Sequence, residues 1–188
     1  MASSIAIKET RFADEFRKLI ERESDQELRR MRELAFEHFA ASGVPTPKLE
    51  DWKYTNVAEI EKHDWTIGRF GYEVTELDAD VRAILERFVY DRNGFAALNL
   101  AFAELAVVRI PKDTVIEEPV EFSFATPDGE VAFPHVIVIA EAGSKATLVG
   151  VYESSGRSFT DTAVQIIVED NASLMHYRVQ KESAEAFH

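Results

Sequence analysis

The chain has no cysteine in 188 residues. Disulfides, thiolate nucleophiles and thiolate metal sites are therefore excluded. Basic residues are outnumbered, 21 against 34 acidic, for a net charge of −13. That balance argues against nucleic acid or an anionic membrane as partner, since both need a concentrated positive face. No apolar run approaches the length of a membrane span. The opening MASSIAIKETRFADEF lacks the apolar stretch of a signal peptide. The expected location is the cytoplasm. Sequence patterns for zinc proteases, nucleophile elbows and phosphate loops are absent as well.

What the chain does contain is a repeat. Val136–Glu141, a turn at Ala142-Gly143-Ser144 and Lys145–Tyr152 recur 28 residues later as Val164–Glu169, Asp170-Asn171-Ala172 and Ser173–Gln180. Glu141 falls on Glu169, Val149 on Tyr177, Val151 on Val179 and Phe159 on Phe187. A fixed period of strand composition marks an architecture in which each unit buries the apolar face of the next. Further upstream the same spacing sets Val108 against Val136 and Asp113 against Glu141, more loosely, as in a terminal turn. Two paired hairpins in a sandwich would use the same turns, but the strict spacing favours a coil.

Ahead of the strands the period is helical. Phe12, Phe16, Leu19 and Ile20 form one stripe, and Leu28, Met31, Ala35 and Phe39 a second. Ser24 with Glu27 reads as the cap opening the second helix, and Gly43 as its stop. The charged outer faces are solvated surface or a docking arm. Pro45 to Thr55 follows as an extended segment in which Glu50, Trp52 and Tyr54 form an expected structural clamp, both aromatic rings buried. A ligand-stacking role for Trp52 is the alternative. Trp65, Ile67, Phe70, Tyr72 and Val74 suggest a short strand. Asp78 reads as a helix cap before Val81, Ile84, Leu85 and Phe88. After the turn Asp91–Gly94, Phe95, Leu98 and Phe102 predict another short helix. Helical periodicity stops near residue 104, which divides a helical domain, 1–104, from a strand domain, 105–188.

Chemistry is sparse. The histidines at 38, 63, 135, 176 and 188 lack the spacing of a metal pair. If Met175, Tyr177 and Val179 point inward, His176 points outward. Ser154-Ser155-Gly156 is a loop rather than a nucleophile elbow. Glu141 and Glu169 would stack on adjacent coils, as solvated turn residues or as an acid–base pair of a β-helical enzyme acting on a polysaccharide or an acyl donor. No catalytic, cofactor-binding or metal residue is assigned.

These residues carry a family likeness. Pro45-Thr46 with Glu50-Asp51-Trp52-Lys53-Tyr54-Thr55, the turn Asn93-Gly94-Phe95, Pro134-His135-Val136, Met175–Gln180 and Ala186-Phe187-His188 follow one another as in the SufB/SufD family of iron–sulfur cluster assembly proteins. The chain resembles SufD more closely. The resemblance implies an α+β fold, a helical N-terminal domain leading into the first turns of a right-handed parallel β-helix. It also implies a non-catalytic subunit of the SUF scaffold complex, working with SufB and the ABC-type ATPase SufC, the cluster belonging to the assembled complex and not to this chain alone. Family members are longer, and the remainder of the coil and the helices that dock SufC lie in the part not matched. An open last coil, with Val164, Ile166, Val168, Tyr177 and Val179 uncovered, would be hidden by self-association.

Overall fold

The computed structural model describes residues 12–71 and 77–188, so the expected strand residues Tyr72 and Val74 lie outside them. Two compact units emerge, one of residues up to Asp64 with Val89–Ala103, the other of Trp65–Phe88 with Glu104–His188.

The first unit packs α1 (Ala13–Arg22), α2 (Gln26–Ser42) and, from later in the chain, α4 (Gly94–Phe102). Its centre is aromatic. Phe16 stacks on Phe36 with ring centroids 4.0 Å apart, and Phe12, Phe39 and Phe102 close around them. The cap of α2 is Asp25 rather than Ser24. Its side chain accepts from the N–H groups of Glu27 and Leu28, both at 3.1 Å. That one-residue shift belongs with a rotated stripe: Leu28, Arg32, Ala35, Phe36 and Phe39 are buried, and Met31 is only half-buried. Gly43 ends the helix as expected, at φ +65° with its N–H on the Phe39 carbonyl. Asn93 caps α4 by accepting from Ala96 N–H at 3.0 Å.

The second unit holds β1 (Thr66–Ile67), α3 (Ala79–Leu85), β2 (Glu104–Ile110), β3 (Val120–Thr126), β4 (Glu130–Ala132), β5 (Pro134–Ala140), β6 (Lys145–Ser154), β7 (Phe159–Thr160), β8 (Ala163–Val168) and β9 (Ser173–Lys181). Each strand pairs with the third strand on, giving three parallel sheets ordered β1-β4-β7, β2-β5-β8 and β3-β6-β9. Strands flanking a turn never pair with each other among the described residues, so the turns are not hairpins. The registers carry the sequence period. His135 lies beside Ala163, Val149 beside Tyr177, Val151 beside Val179, and Phe159 bridges to Phe187, each 28 residues on.

The first repeat departs from that spacing. Val108 pairs with Val138, not with Val136. Val115 still bridges to Lys145, 30 residues on, whereas Val120 pairs with Leu148, 28 on, so residues 116–119 hold the two extra residues. The turn positions explain the remaining regularity. Asp113, Gly143 and Asn171 occupy equivalent corners and all have positive φ, +53°, +71° and +58°. Aspartate, glycine and asparagine are the residues that tolerate this left-handed region.

The core lies between the β2-β5-β8 and β3-β6-β9 sheets, where Ala106, Val136 and Val138 meet Phe122, Phe124, Leu148 and Tyr152. β5 is buried on both faces, the fully apolar pattern of a covered parallel strand. On its other face His135 Nε2 lies 2.9 Å from Gln165 Oε1, and Gln165 Nε2 donates to the Ile84 carbonyl at 2.8 Å. Asp78 caps α3 as expected, accepting from Val81 N–H at 2.8 Å.

Candidate functional site

The polar groups gather on the core-facing row of β9. Register assigns that row: Ala146, Leu148 and Gly150 of β6 are buried, and their partners are Leu174, His176 and Arg178. In-register parallel partners share a face, so His176 and Arg178 lie on the core-facing row although both remain exposed, and Met175, Tyr177 and Val179 lie on the opposite face, exposed as well. This reverses the orientation expected from the sequence. It also splits the expected open surface, since Val164 packs on the core while Ile166, Val168, Tyr177 and Val179 are exposed.

Within this row the Arg178 guanidinium lies 4.8 Å from the centre of the Tyr152 ring. Tyr152 is buried, stacked at 5.6 Å on Phe124, and the His188 ring meets it edge-on at 4.9 Å. His188 Nδ1 is 2.9 Å from Glu182 Oε1. His176 tilts beside Phe122 with centroids 6.4 Å apart. Burial pushes the Tyr152 phenol up. Loss of water, then the neighbouring Arg178 charge, hold His176 below its ordinary value. Burial lowers His188 too, against the opposing bond to Glu182. Arg178, His188 and, through His188, the Glu182 carboxylate thus meet around the buried Tyr152 ring. No group of three or more His, Asp or Glu side chains among the described residues could hold a metal ion.

The other expected residues fall elsewhere. Trp52 is half-buried, its ring 5.3 Å from Phe95 of α4 in an edge-to-face contact. Tyr54 is not buried as expected. It is 92% exposed, on the turn that follows the short helix Glu50–Trp52, with Lys53 Nζ 5.4 Å from its ring centre. Glu50 is exposed, 3.5 Å from Lys53 Nζ. Of the three, Trp52 alone packs against a helix. Half-burial plus one aromatic contact sets the expected cost of Trp52→Ala at about 2 kcal/mol in urea unfolding, below the ~3–5 kcal/mol of a fully buried aromatic. A shift under about 0.5 kcal/mol, the range of surface substitutions, would remove its anchoring role.

Glu141 and Glu169 do sit at equivalent turns of the repeat, but each is committed to a backbone N–H of the preceding repeat. Glu141 accepts from Lys112 N–H and Glu169 from Ala142 N–H, both at 2.9 Å. Arg109 adds contacts to Glu141 at 3.1 Å and to Asp78 at 2.8 Å. The Lys112 bond first, then Arg109, hold the Glu141 carboxyl below its ordinary 4.5. A depressed carboxylate contributes stability above its unfolded value that is lost as pH falls through the folded one. Stability should therefore fall below about pH 4.5, and Glu141→Gln should flatten that fall. Asp161 works in the opposite sense, because burial raises its carboxyl well above 3.8 and stability falls as pH rises through that range. Urea midpoints of wild type and Glu141→Gln between about pH 3 and 6 isolate the first contribution. Equal acid loss in both proteins would refute it.

Arg178, Tyr152 and Arg32 carry the most specific contacts, and none stands out from sequence spacing. Only register, or a helix packed from far along the chain, shows what they face.

No helix among the described residues is long and apolar enough to cross a membrane. Residues 6–84 match the SufBD protein N-terminal region, and residues 122–188 match the SufBD core domain of the SUF system for FeS cluster assembly. The chain is 29% identical over 108 residues to an iron–sulfur cluster assembly SufBD family protein of Synechocystis sp. (strain ATCC 27184 / PCC 6803 / Kazusa). That match covers 50% of this chain and 24% of the relative, so the chain spans about a quarter of that protein's length. No solved structure matches it. With the N-terminal and core regions in family order over most of its length, the chain belongs to the SufB/SufD family, whose matching models describe the SUF system for FeS cluster assembly.

Proposed function

We propose that this chain is the N-terminal part of a SufD-like, non-catalytic subunit of the SUF scaffold complex. It supports cluster assembly and iron delivery in the cytoplasm beside a SufB-like subunit and a SufC-like ABC-type ATPase. The observation that carries this reading is a SufBD core segment without a single cysteine. Cluster irons take mostly thiolate ligands, so such a segment serves as frame rather than as cluster ligand. We read the three parallel sheets as the opening coils of a right-handed parallel β-helix. Third-strand pairing, the 28-residue register and the left-handed corner residues all support it. Further coils of the whole protein would then stack on β8 and β9, covering Ile166 and Val168.

Anaerobic reconstitution of the 188-residue chain with iron and sulfide should give no stoichiometric cluster by visible absorption and metal analysis. One iron or more per chain would overturn the non-ligand reading. The assembly role is tested by co-expressing the whole protein with SufB-like and SufC-like subunits. Co-elution of the three supports it, and elution of this protein apart from both rejects it. The enzyme alternative gains nothing from the structure, because both of its carboxylates are occupied as corner acceptors.

A further inference from the structure

We infer that α3 is a strap that fastens three successive repeats across the outer face of the β2-β5-β8 sheet, so that these repeats open together rather than one at a time. The inference rests on neither the assembly role nor the β-helix reading. Strand register defines the face. Val107 and Arg109 of β2 lie beside Ile137 and Ile139 of β5, which lie beside Gln165 and Ile167 of β8. The alternate row, with Ala106, Val136 and Val138, faces the core. An outer row that met water would be polar, yet Ile137 and Ile139 are apolar and buried. α3 packs against β5 on this side, and its own Val81, Ile84 and Leu85 are buried. The ring of Phe88, just past the helix, stands edge-on to His135 of β5 at 4.8 Å.

Polar ties hold the helix at both ends. At its start the cap Asp78 meets Arg109 of β2 at 2.8 Å, and Arg109 also reaches Glu141 in the turn after β5 at 3.1 Å. At its end the Ile84 carbonyl accepts from Gln165 Nε2 of β8 at 2.8 Å. With that amide nitrogen committed to a carbonyl, the Gln165 oxygen faces His135, which donates to it from Nε2 at 2.9 Å. A charged tie to the first repeat and a neutral tie to the third thus sit about 9 Å apart along one helix. α3 is only seven residues long. A helix that short has little stability of its own, so it stays folded only while docked. In repeat architectures each unit contacts its neighbours alone, and stability is a sum of units and nearest-neighbour interfaces. A helix tied to β2, β5 and β8 departs from that scheme, because it links β2 to β8, which do not pair with each other.

Amide hydrogen exchange read by NMR tests the linkage in this chain. Asp78→Asn keeps the cap, since asparagine also accepts the Val81 N–H, but loses the ion pair with Arg109. Gln165→Met cuts the other end. The reporters are Arg82 N–H, bonded to the Asp78 carbonyl within the strap, and Glu169 N–H, bonded to the Ala140 carbonyl at the end of β8. Ser173 N–H, bonded to the Ser144 carbonyl at the start of the β6–β9 pair, is the control. Each variant should speed exchange several-fold at both Arg82 and Glu169, and leave Ser173 within about twofold of wild type. The double variant should be little faster than either single one, because a short helix freed at one end has no docking left to lose. Independent sites at this separation would instead multiply to within about twofold. An Asp78→Asn effect confined to Arg82, an equal acceleration at Ser173, or a multiplicative double variant would overturn the strap.

Discussion

Replacing Arg32 with alanine is expected to cost about 3–5 kcal/mol of unfolding free energy, the range for removing one partner of a buried charged pair. The side chain sits on the buried face of α2, 6% exposed, where a hydrophobic residue would be the ordinary occupant. Its guanidinium donates from Nη1 to the Ala101 carbonyl at 3.1 Å and from Nη2 to the Ala103 carbonyl at 2.9 Å. Nε lies 3.3 Å from Glu23 Oε2, which neutralises the charge. The Ala101 carbonyl is in the last turn of α4, where carbonyls have no partner within the helix, and arginine satisfies it together with that of Ala103. Alanine leaves two carbonyls and the Glu23 carboxylate without this partner and opens a cavity on the buried face of α2. Arg32→Lys keeps the charge but has no planar fork, so it should recover only part of the loss. Equilibrium urea unfolding with unchanged slope reads the effect. A loss under about 1 kcal/mol for Arg32→Ala would mean the carbonyls find other partners.

Arg32 also shows where the sequence stops being legible. Helical spacing placed α1 and α2, and the cap Asp78 could be read because it acts within three residues of itself, whereas Asn93 was legible only as part of a turn. Arg32 is buried for the sake of carbonyls some 70 residues away, and no local pattern carries that information. The strands show the same division. The 28-residue period and its pairings Val149–Tyr177 and Val151–Val179 were visible, because a repeat writes its register into the sequence. Which face of β9 turns inward was not. Met175, Tyr177 and Val179 are more apolar than His176, Arg178 and Gln180, so hydrophobicity alone points the wrong way. The decision is made by pairing with β6, where Leu148 and Gly150 already face the core. Two extra residues at 116–119 likewise shift the first repeat by an amount that composition does not reveal. At the expected clamp, aromatic identity argued for burial of both rings, yet the short helix Glu50–Trp52 leaves Trp52 against Phe95 and Tyr54 in solvent. The polar row on β9 was hidden for the same reason: its members meet through register and not through spacing.

Gly94→Ala should be among the most damaging single substitutions in the helical unit, at about 3 kcal/mol or more, the upper end of overpacking costs. Two effects oppose each other. Alanine is a better helix former than glycine by about 1 kcal/mol, and Gly94 is the first residue of α4. Against that, a Cβ at this position would overlap the Gly43 carbonyl oxygen and lie 2.8 Å from its carbonyl carbon and 3.4 Å from Val44 Cα. These are backbone atoms, so no rotamer change can relieve the contact. Either the start of α4 or the stretch after α2 must move. The neighbouring Val44 and Pro45 are buried, and the following Phe95 carries the Trp52 contact, so displacement spreads to both sides. Gly129→Ala is the control. Its φ is +76° but nothing lies within 4 Å of the added Cβ, so backbone strain alone should cost about 1–2 kcal/mol. Urea unfolding of the two variants separates crowding from strain. A Gly94→Ala protein as stable as wild type would mean that helix propensity outweighs the crowding. The close approach of α4 to Gly43 would then not be what makes glycine necessary in the Asn93-Gly94-Phe95 turn.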